Sequence, residues 1–126
     1  MQRVKVRHSQ DFAFQVTSGD QEFIIDAKGS GLNPLSALLA SLGSCIGVYI
    51  RKYSEGAKLN LTNFKIEVEA ELTKESPFCF KKINVSLDLG DIRLDERRMH
   101  ALLEFIKNCP VHNTLKNNPL VEVKLI

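Results

Sequence analysis

The sequence predicts an α+β fold, and we expect its 126 residues to form a single domain covering residues 1–126. Short alternating or apolar runs near the N terminus and in the middle of the chain indicate antiparallel strands with one buried face. A long uncharged stretch between them indicates a helix. A second helical pattern and a final alternating run follow. The predicted order is therefore three strands, a helix, two strands, a helix and a strand.

Three short runs open the chain, at residues 3–7, 12–16 and 22–26. The turn-like sequences HSQD and SGDQ separate them. This arrangement predicts a three-stranded meander.

The uncharged stretch extends from Gly29 to Ile50, and residues 28–34 form a loop before its helix. Asn33 is a good N-cap, and Pro34 fits the first helical position because its missing N–H is not needed there. The helix is expected from about Pro34 to Ser54. Without the polar lead-in, about 16 apolar residues remain, fewer than the ~20 that a membrane span needs. A helix apolar on all sides in so small a chain instead indicates cover from a second subunit.

Two further strands follow the helix. Strict alternation over residues 64–72 predicts a strand with one buried and one wet face. Residues 78–89 predict the next strand, and its apolar positions change from even to odd numbers across Lys81 and Lys82. A β-bulge there explains the change. Residues 121–126 alternate again and predict a closing strand.

The second helix is expected from about Leu94 to Asn108, with Asp95 as a cap and an apolar stripe on one face. Cys109 prolongs that stripe, and Pro110 breaks the helical pattern. Residues 111–116 fit one more helical turn.

The composition disfavours nucleic acid and membrane partners. Net charge is +2, Trp is absent, and basic residues alternate with acidic ones instead of forming a stripe. The first residues contain no signal-peptide apolar core. Three cysteines are few and odd for a secreted scaffold, so we expect a cytoplasmic protein with reduced thiols.

Cys45 and Cys109 lie on the apolar faces of two predicted helices that are expected to pack together. A buried thiol in an apolar helix is most often a small hydrophobic residue. Cys79, in the sequence FCFKK, is interpreted as a strand residue with no chemistry. Two thiols on facing elements favour redox chemistry, in which one attacks a peroxide and the other condenses with the resulting sulfenic acid. Apolar surroundings favour an organic peroxide.

Metal and cofactor sites are not indicated by the residue pattern. Cys109 and His112 form a C-x-x-H pair, which is half of a zinc site, and His8 and His100 have no ligand-like spacing. A glycine-rich phosphate loop and a G-x-S-x-G sequence are both missing.

Two motifs resemble those of the OsmC/Ohr family, the osmotically inducible and organic hydroperoxide resistance proteins. The sequences are GLNPLSALLASLGSC at 31–45, with Cys45 twelve residues after Asn33, and CPVHNTL at 109–115. The chain resembles the OsmC-like branch. The resemblance implies an OsmC-like fold in which antiparallel sheets wrap long central helices in an intertwined homodimer.

The resemblance also implies a thiol peroxidase that acts on small organic hydroperoxides. Cys45 would be the peroxidatic residue and Cys109 the resolving residue, joined as a Cys45–Cys109 disulfide. An external dithiol, lipoyl-type in the best-known branch, would reduce it without any bound cofactor. The arginine and glutamate of active members fall at Gln10 and Leu35 by alignment, and Arg7 is the nearest candidate for an activating cation.

Two alternatives remain open. A weakly active or non-catalytic dimeric binding protein would hold a small apolar or sulfur-containing ligand, and a ligand retained in the purified dimer would favour it. In the other alternative, both thiols are structural. Whether the chain is an enzyme is therefore left open by its sequence.

Overall fold

A computed structural model describes residues 1–29 and 31–126. They form two compact units, Met1–Ala40 (unit 1) and Ser41–Ile126 (unit 2). The predicted mixture of helices and antiparallel sheets is confirmed. The assignment of residues 1–126 to a single domain stays a prediction. The predicted loop before the first helix includes Ser30, which lies outside the described residues.

Unit 1 contains the predicted meander. Strands β1 (Lys5–Gln10), β2 (Ala13–Ser18) and β3 (Gln21–Asp26) pair antiparallel in that order. Gly19 joins the last two with a φ of +60°, a backbone conformation that glycine adopts without steric strain. The first strand begins two residues later than its alternating pattern predicts.

Helix α1 (Pro34–Gly56) begins at the predicted residue and extends slightly past the predicted end. Asn33 caps it, since its Oδ1 accepts a hydrogen bond from the Leu35 N–H at 2.9 Å. By length and composition α1 is the one helix among residues 1–29 and 31–126 that could cross a membrane. Core helices of soluble proteins meet the same criterion, so the expected lack of a membrane partner stays a prediction.

In unit 2, strands β4 (Lys65–Leu72) and β5 (Phe80–Asp88) form an antiparallel pair. Glu71 pairs with Lys82 and Leu72 with Phe80, which leaves Lys81 as the extra residue. The predicted β-bulge is thus confirmed at the predicted position.

The part of α1 in unit 2 packs closely against β4. A Cβ atom added at Gly43 would lie 3.0 Å from Val68 Cγ2, and one at Gly47 would lie 3.3 Å from Ile66 Cδ1. A Cβ atom at either position would therefore be tightly packed against β4, whose side chains would have to move by a few tenths of an ångström. The all-round burial predicted for α1 is not met within the chain alone, because Val48 is 50% exposed.

The second predicted helix consists of two segments. Helix α2 (Glu96–Phe105) is capped by Asp95, whose Oδ1 accepts from the Arg98 N–H at 2.8 Å, and a 3₁₀ turn (Ile106–Asn108) follows. Helix α3 (Pro110–Asn117) then begins. Its eight residues exceed the single turn expected from the sequence.

The predicted closing strand at residues 121–126 is wrong for the isolated chain. These residues form no strand and are exposed, Val123 to 92%. Alternation shows that one face of a segment is suited to burial, but a strand also needs a neighbouring edge that supplies hydrogen bonds. No described strand pairs with this segment.

Candidate functional site

The structure brings Cys45 and Cys109 together inside unit 2. Cys45, in the middle of α1, packs against the apolar core that contains Cys109. The Cys45 side chain is near enough to raise the pKa of the Cys109 thiol, and both residues are free thiols. Cys45 is partly buried and Cys109 is fully buried.

The register of α1 places Cys45 beside its buried face. Leu42 and Ile46, one turn before and one residue after Cys45, both belong to the core. The backbone N–H of Cys45 lies far from the N terminus of α1, where helical N–H groups are free, so the helix dipole contributes little at this sulfur.

Cys109 lies at a helix N terminus instead. It is the N-cap of α3, and its Sγ accepts a hydrogen bond from the His112 N–H at 3.5 Å. The Val111 N–H also interacts with this sulfur. Pro110 occupies the first helical position, where its missing N–H leaves these two groups as the nearest donors.

Burial raises the pKa of the Cys109 thiol above its ordinary value of 9.0, and the neighbouring Cys45 raises it further. The N–H groups of His112 and Val111 act in the opposite direction, because they stabilise the thiolate. The net effect keeps Cys109 protonated.

A cavity of about 870 Å³ lies in unit 2 close to the thiol pair. Leu42 and Ile46 of α1 and His112 of α3 contribute to its wall. The rest of the wall comes from β5, α2 and the segments that follow them: Phe80, Lys81, Lys82, Ile83, Val85, Leu87, Leu89, Met99, Leu102, Leu103, Ile106, Lys107, Leu115 and Lys116. The sequence indicates the apolar faces that form this wall, but it gives no signal of a gap between them.

The other predicted site residues belong to unit 1. The Arg7 guanidinium donates to Gln15 Oε1 at 2.7 Å, across the β1–β2 pair. Gln10 ends β1 and Leu35 is in the first turn of α1. Arg7 as the activating cation of Cys45 stays a prediction.

Cys79 is exposed and lies just before β5, where its backbone pairs with Thr73. It thus falls outside the strand that the sequence predicts for it. Among residues 1–29 and 31–126, no group of three or more His, Cys, Asp or Glu side chains could hold a metal ion. His112 approaches Cys109 through its backbone N–H.

Comparison with known proteins identifies the family. A family model described as OsmC-like protein matches residues 27–124, which include both cysteine motifs. The chain belongs to the OsmC-like protein family. A hydroperoxide reductase from Mycoplasma genitalium is 27% identical over 113 residues, with 83% of this chain and 79% of that protein covered.

Solved OsmC-like structures share the fold. The OsmC-like protein from Mycoplasma pneumoniae matches with a TM-score of 0.81 at 19% identity, covering 94% of this chain and 89% of that one. The organic hydroperoxide resistance protein OhrB of Bacillus subtilis matches with a TM-score of 0.62 at 24% identity, covering 94% and 92%. The predicted OsmC-like fold is confirmed. The family and its hydroperoxide reductase member support a redox or peroxidase role, while the homodimer stays a prediction.

Proposed function

We propose that this OsmC-like protein is a thiol-dependent peroxidase that reduces small organic hydroperoxides. Cys45 is the peroxidatic residue and Cys109 the resolving residue. The observation that carries the proposal is the packing of two free thiols, Cys45 and Cys109, in one apolar core. Two neighbouring thiols in one core are the arrangement that formation of a disulfide after peroxide attack requires.

In the first step, the Cys45 thiolate attacks one peroxide oxygen and forms an S–O bond. The O–O bond breaks, and the alkoxide leaves and takes up a proton to become an alcohol. Cys45 becomes a sulfenic acid, so its sulfur loses two electrons and the peroxide gains them. Cys45 suits this role because it is the more accessible thiol of the pair.

In the second step, the Cys109 thiolate attacks the Cys45 sulfur. An S–S bond forms, and the hydroxyl group leaves as water after protonation. The buried Cys109 must first lose its proton, and the His112 and Val111 N–H groups stabilise the thiolate that results. An external dithiol then restores both thiols by thiol–disulfide exchange, so no bound cofactor takes part.

Several observations support the organic substrate and the setting. Leu42 and Ile46 give the site apolar neighbours, and relatives are named hydroperoxide reductase and organic hydroperoxide resistance protein. We place the protein in the cytoplasm as an antioxidant homodimer in the oxidative stress response. The exposed face of α1 around Val48 and the exposed residues 121–126 support a second subunit.

The groups that activate the Cys45 thiol form a separate part of this proposal. Leu35 and Gln10 stand where the family resemblance implies a glutamate and an arginine. We propose Arg7 as the cation that replaces them near Cys45 in the assembled protein. Arg7→Gln should then slow the oxidation of Cys45, whereas Arg3→Gln, in the exposed residues before β1, should not.

Disulfide mapping tests the pairing. The reduced protein is treated with one equivalent of cumene hydroperoxide, alkylated and analysed by peptide mass spectrometry. We expect a Cys45–Cys109 disulfide, which should persist in Cys79→Ser and be lost in Cys45→Ser, whose fold is checked by circular dichroism. A disulfide that contains Cys79 would contradict the assigned pair.

A further inference from the structure

The surroundings of Cys45 and Cys109 contain few groups that could assist a leaving group. In the described part of the chain, no charged side chain forms a hydrogen bond or an ion pair with either sulfur. The donors at Cys109 are the backbone N–H groups of His112 and Val111, and Cys45 packs against an apolar core. The pair therefore holds two reducing electrons in a setting that suits a substrate with a good leaving group.

The leaving group distinguishes two classes of substrate. Attack on the O–O bond of a hydroperoxide expels an alkoxide, whose alcohol is about as weak an acid as water, with a pKa of about 15.7. This leaving group needs a proton donor or a cation beside it. Attack on the terminal sulfur of an organic persulfide, R–S–SH, expels a thiolate, and a thiol has a pKa of about 8.5. A thiolate leaves readily without such help.

The burial of the two thiols also fits a persulfide. Apolar surroundings favour the neutral form R–S–SH over its anion, because burial disfavours charge, and the neutral form is the one that a thiolate attacks. Cys45 is only partly buried, whereas Cys109 is fully buried. The terminal sulfur of a persulfide carries only hydrogen, so it can approach a partly covered thiol more closely than the substituted sulfur atoms of a dialkyl disulfide.

From these observations we propose that Cys45 and Cys109 reduce small organic persulfides and release sulfide. The Cys45 thiolate attacks the terminal sulfur of R–S–SH and forms an S–S bond, while R–S⁻ leaves and takes up a proton. The Cys109 thiolate then attacks the Cys45 sulfur and expels HS⁻, which also takes up a proton. The two thiols lose two electrons and become a disulfide, and the persulfide gains them and becomes one thiol and one sulfide.

This activity rests on the cysteine pair of the proposed function but not on its peroxide substrate. The external dithiol that restores the pair after peroxide reduction restores it here by the same exchange. The two activities can therefore be present or absent independently of each other.

A single-turnover reaction with one equivalent of tert-butyl persulfide tests the proposal on the reduced, full chain. The bulky group shields the inner sulfur and directs attack to the terminal one. Sulfide is trapped with monobromobimane, and disulfides are located by peptide mass spectrometry. Cys79→Ser is the reference protein, because it lacks the exposed thiol. We expect about one sulfide per chain, formed at the same rate as a Cys45–Cys109 disulfide. Disulfide formation without sulfide release would overturn the proposal.

Variants of each cysteine in the Cys79→Ser background assign the two steps. Cys45→Ser should release sulfide at least about tenfold more slowly, because the accessible nucleophile is lost. Cys109→Ser should accumulate a persulfide on Cys45, detected as a gain of one sulfur atom, and should release sulfide about tenfold or more slowly because no neighbouring thiol attacks it.

Cys109→Ala repeats this test with an apolar side chain at the fully buried position, and circular dichroism checks the fold of every variant. Sulfide release by Cys109→Ser and Cys109→Ala at the rate of the reference protein would overturn the proposal.

A parallel reaction with tert-butyl hydroperoxide separates this inference from the peroxidase function. Sulfide release without hydroperoxide consumption would support the persulfide reaction and contradict the proposed peroxidase function. Hydroperoxide consumption without sulfide release would support the peroxidase function and overturn the persulfide reaction.

Discussion

The middle of α1 and the start of α3 present the same thiol group in two opposite settings. Cys45 is partly accessible but lies where the helical N–H groups are already bonded to carbonyls, whereas Cys109 is fully buried and receives N–H groups from His112 and Val111. Access and thiolate stabilisation are thus divided between the two residues. The difference favours Cys45 for the encounter with peroxide and Cys109 for the later attack on its sulfur.

The largest expected effect is on the turnover of hydroperoxide, and it distinguishes the role of Cys45 from that of Cys109. Cys45→Ser should reduce hydroperoxide consumption to the uncatalysed rate, because a serine hydroxyl is a far weaker nucleophile. Cys109→Ser should consume one equivalent of hydroperoxide and then stop, with a sulfenic acid on Cys45 that mass spectrometry detects. Cys79→Ser is the matched control and should turn over normally. Full turnover by Cys109→Ser would show that Cys109 has no resolving role.

The pH dependence of disulfide formation tests whether the pKa of Cys109 is raised. Because its pKa is raised, the rate of disulfide formation after Cys45 oxidation should keep rising with pH beyond 9.0, by about tenfold per unit while Cys109 remains protonated. Stopped-flow mixing with hydroperoxide and rapid alkylation measures this rate. A rate that becomes constant at a pH well below the ordinary thiol pKa would mean that the N–H groups lower the pKa of Cys109 more than burial raises it.

The raised pKa of Cys109 also predicts how the stability of the protein depends on pH. The folded state binds the Cys109 proton more tightly than the unfolded chain, so the stabilising contribution is complete below the ordinary thiol pKa and is lost as the pH rises above it. Denaturant unfolding of the reduced protein should therefore show a free energy of unfolding that falls in alkaline solution. The free energy of unfolding of Cys109→Ala should fall less steeply over the same pH range.

The position of Cys45 depends on the close packing of α1 against β4. Gly43→Ala adds a Cβ atom 3.0 Å from Val68 Cγ2, and overpacking of this kind typically lowers stability by about 1–3 kcal/mol. The higher helix propensity of alanine offsets about 1 kcal/mol of that loss. Urea unfolding measures the net change in the free energy of unfolding of Gly43→Ala. Gly56→Ala, where no atom lies within 4 Å, is the control and should not lose stability.

The smallest expected effect concerns the side chain of His112. Its backbone N–H, not its ring, contacts Cys109 Sγ, so His112→Ala keeps the donor and should change the rate of disulfide formation by no more than about twofold. The same stopped-flow assay measures it. A much larger decrease would indicate that the imidazole removes the proton from Cys109.

Local signals predicted much of the fold. Asn33 and Asp95 were expected to cap helices and do so, and the change of apolar register at Lys81 and Lys82 predicted the bulge. These features depend on residues close in sequence. The strand expected at residues 121–126 failed because strand pairing depends on a distant partner, which local alternation does not specify.

The sequence predicted less of the candidate site than of the fold. Pro110 was expected to break a helix, and it also begins α3, which makes Cys109 an N-cap. The sequence alone indicated that Cys45 and Cys109 lie on apolar faces, and the family resemblance supplied their roles. That the two cysteines pack in one core, and that a cavity lies in the same unit, depends on tertiary packing, which no short motif encodes.

The most direct test of the central claim is the second-order rate at which Cys45 is oxidised in the reduced protein by cumene hydroperoxide, measured beside hydrogen peroxide. The exposed Cys79 in the same chain provides an internal reference thiol. The proposed peroxidase predicts that Cys45 reacts much faster than Cys79 and prefers the organic peroxide. Oxidation of Cys45 no faster than that of Cys79 would contradict the proposed peroxidase function.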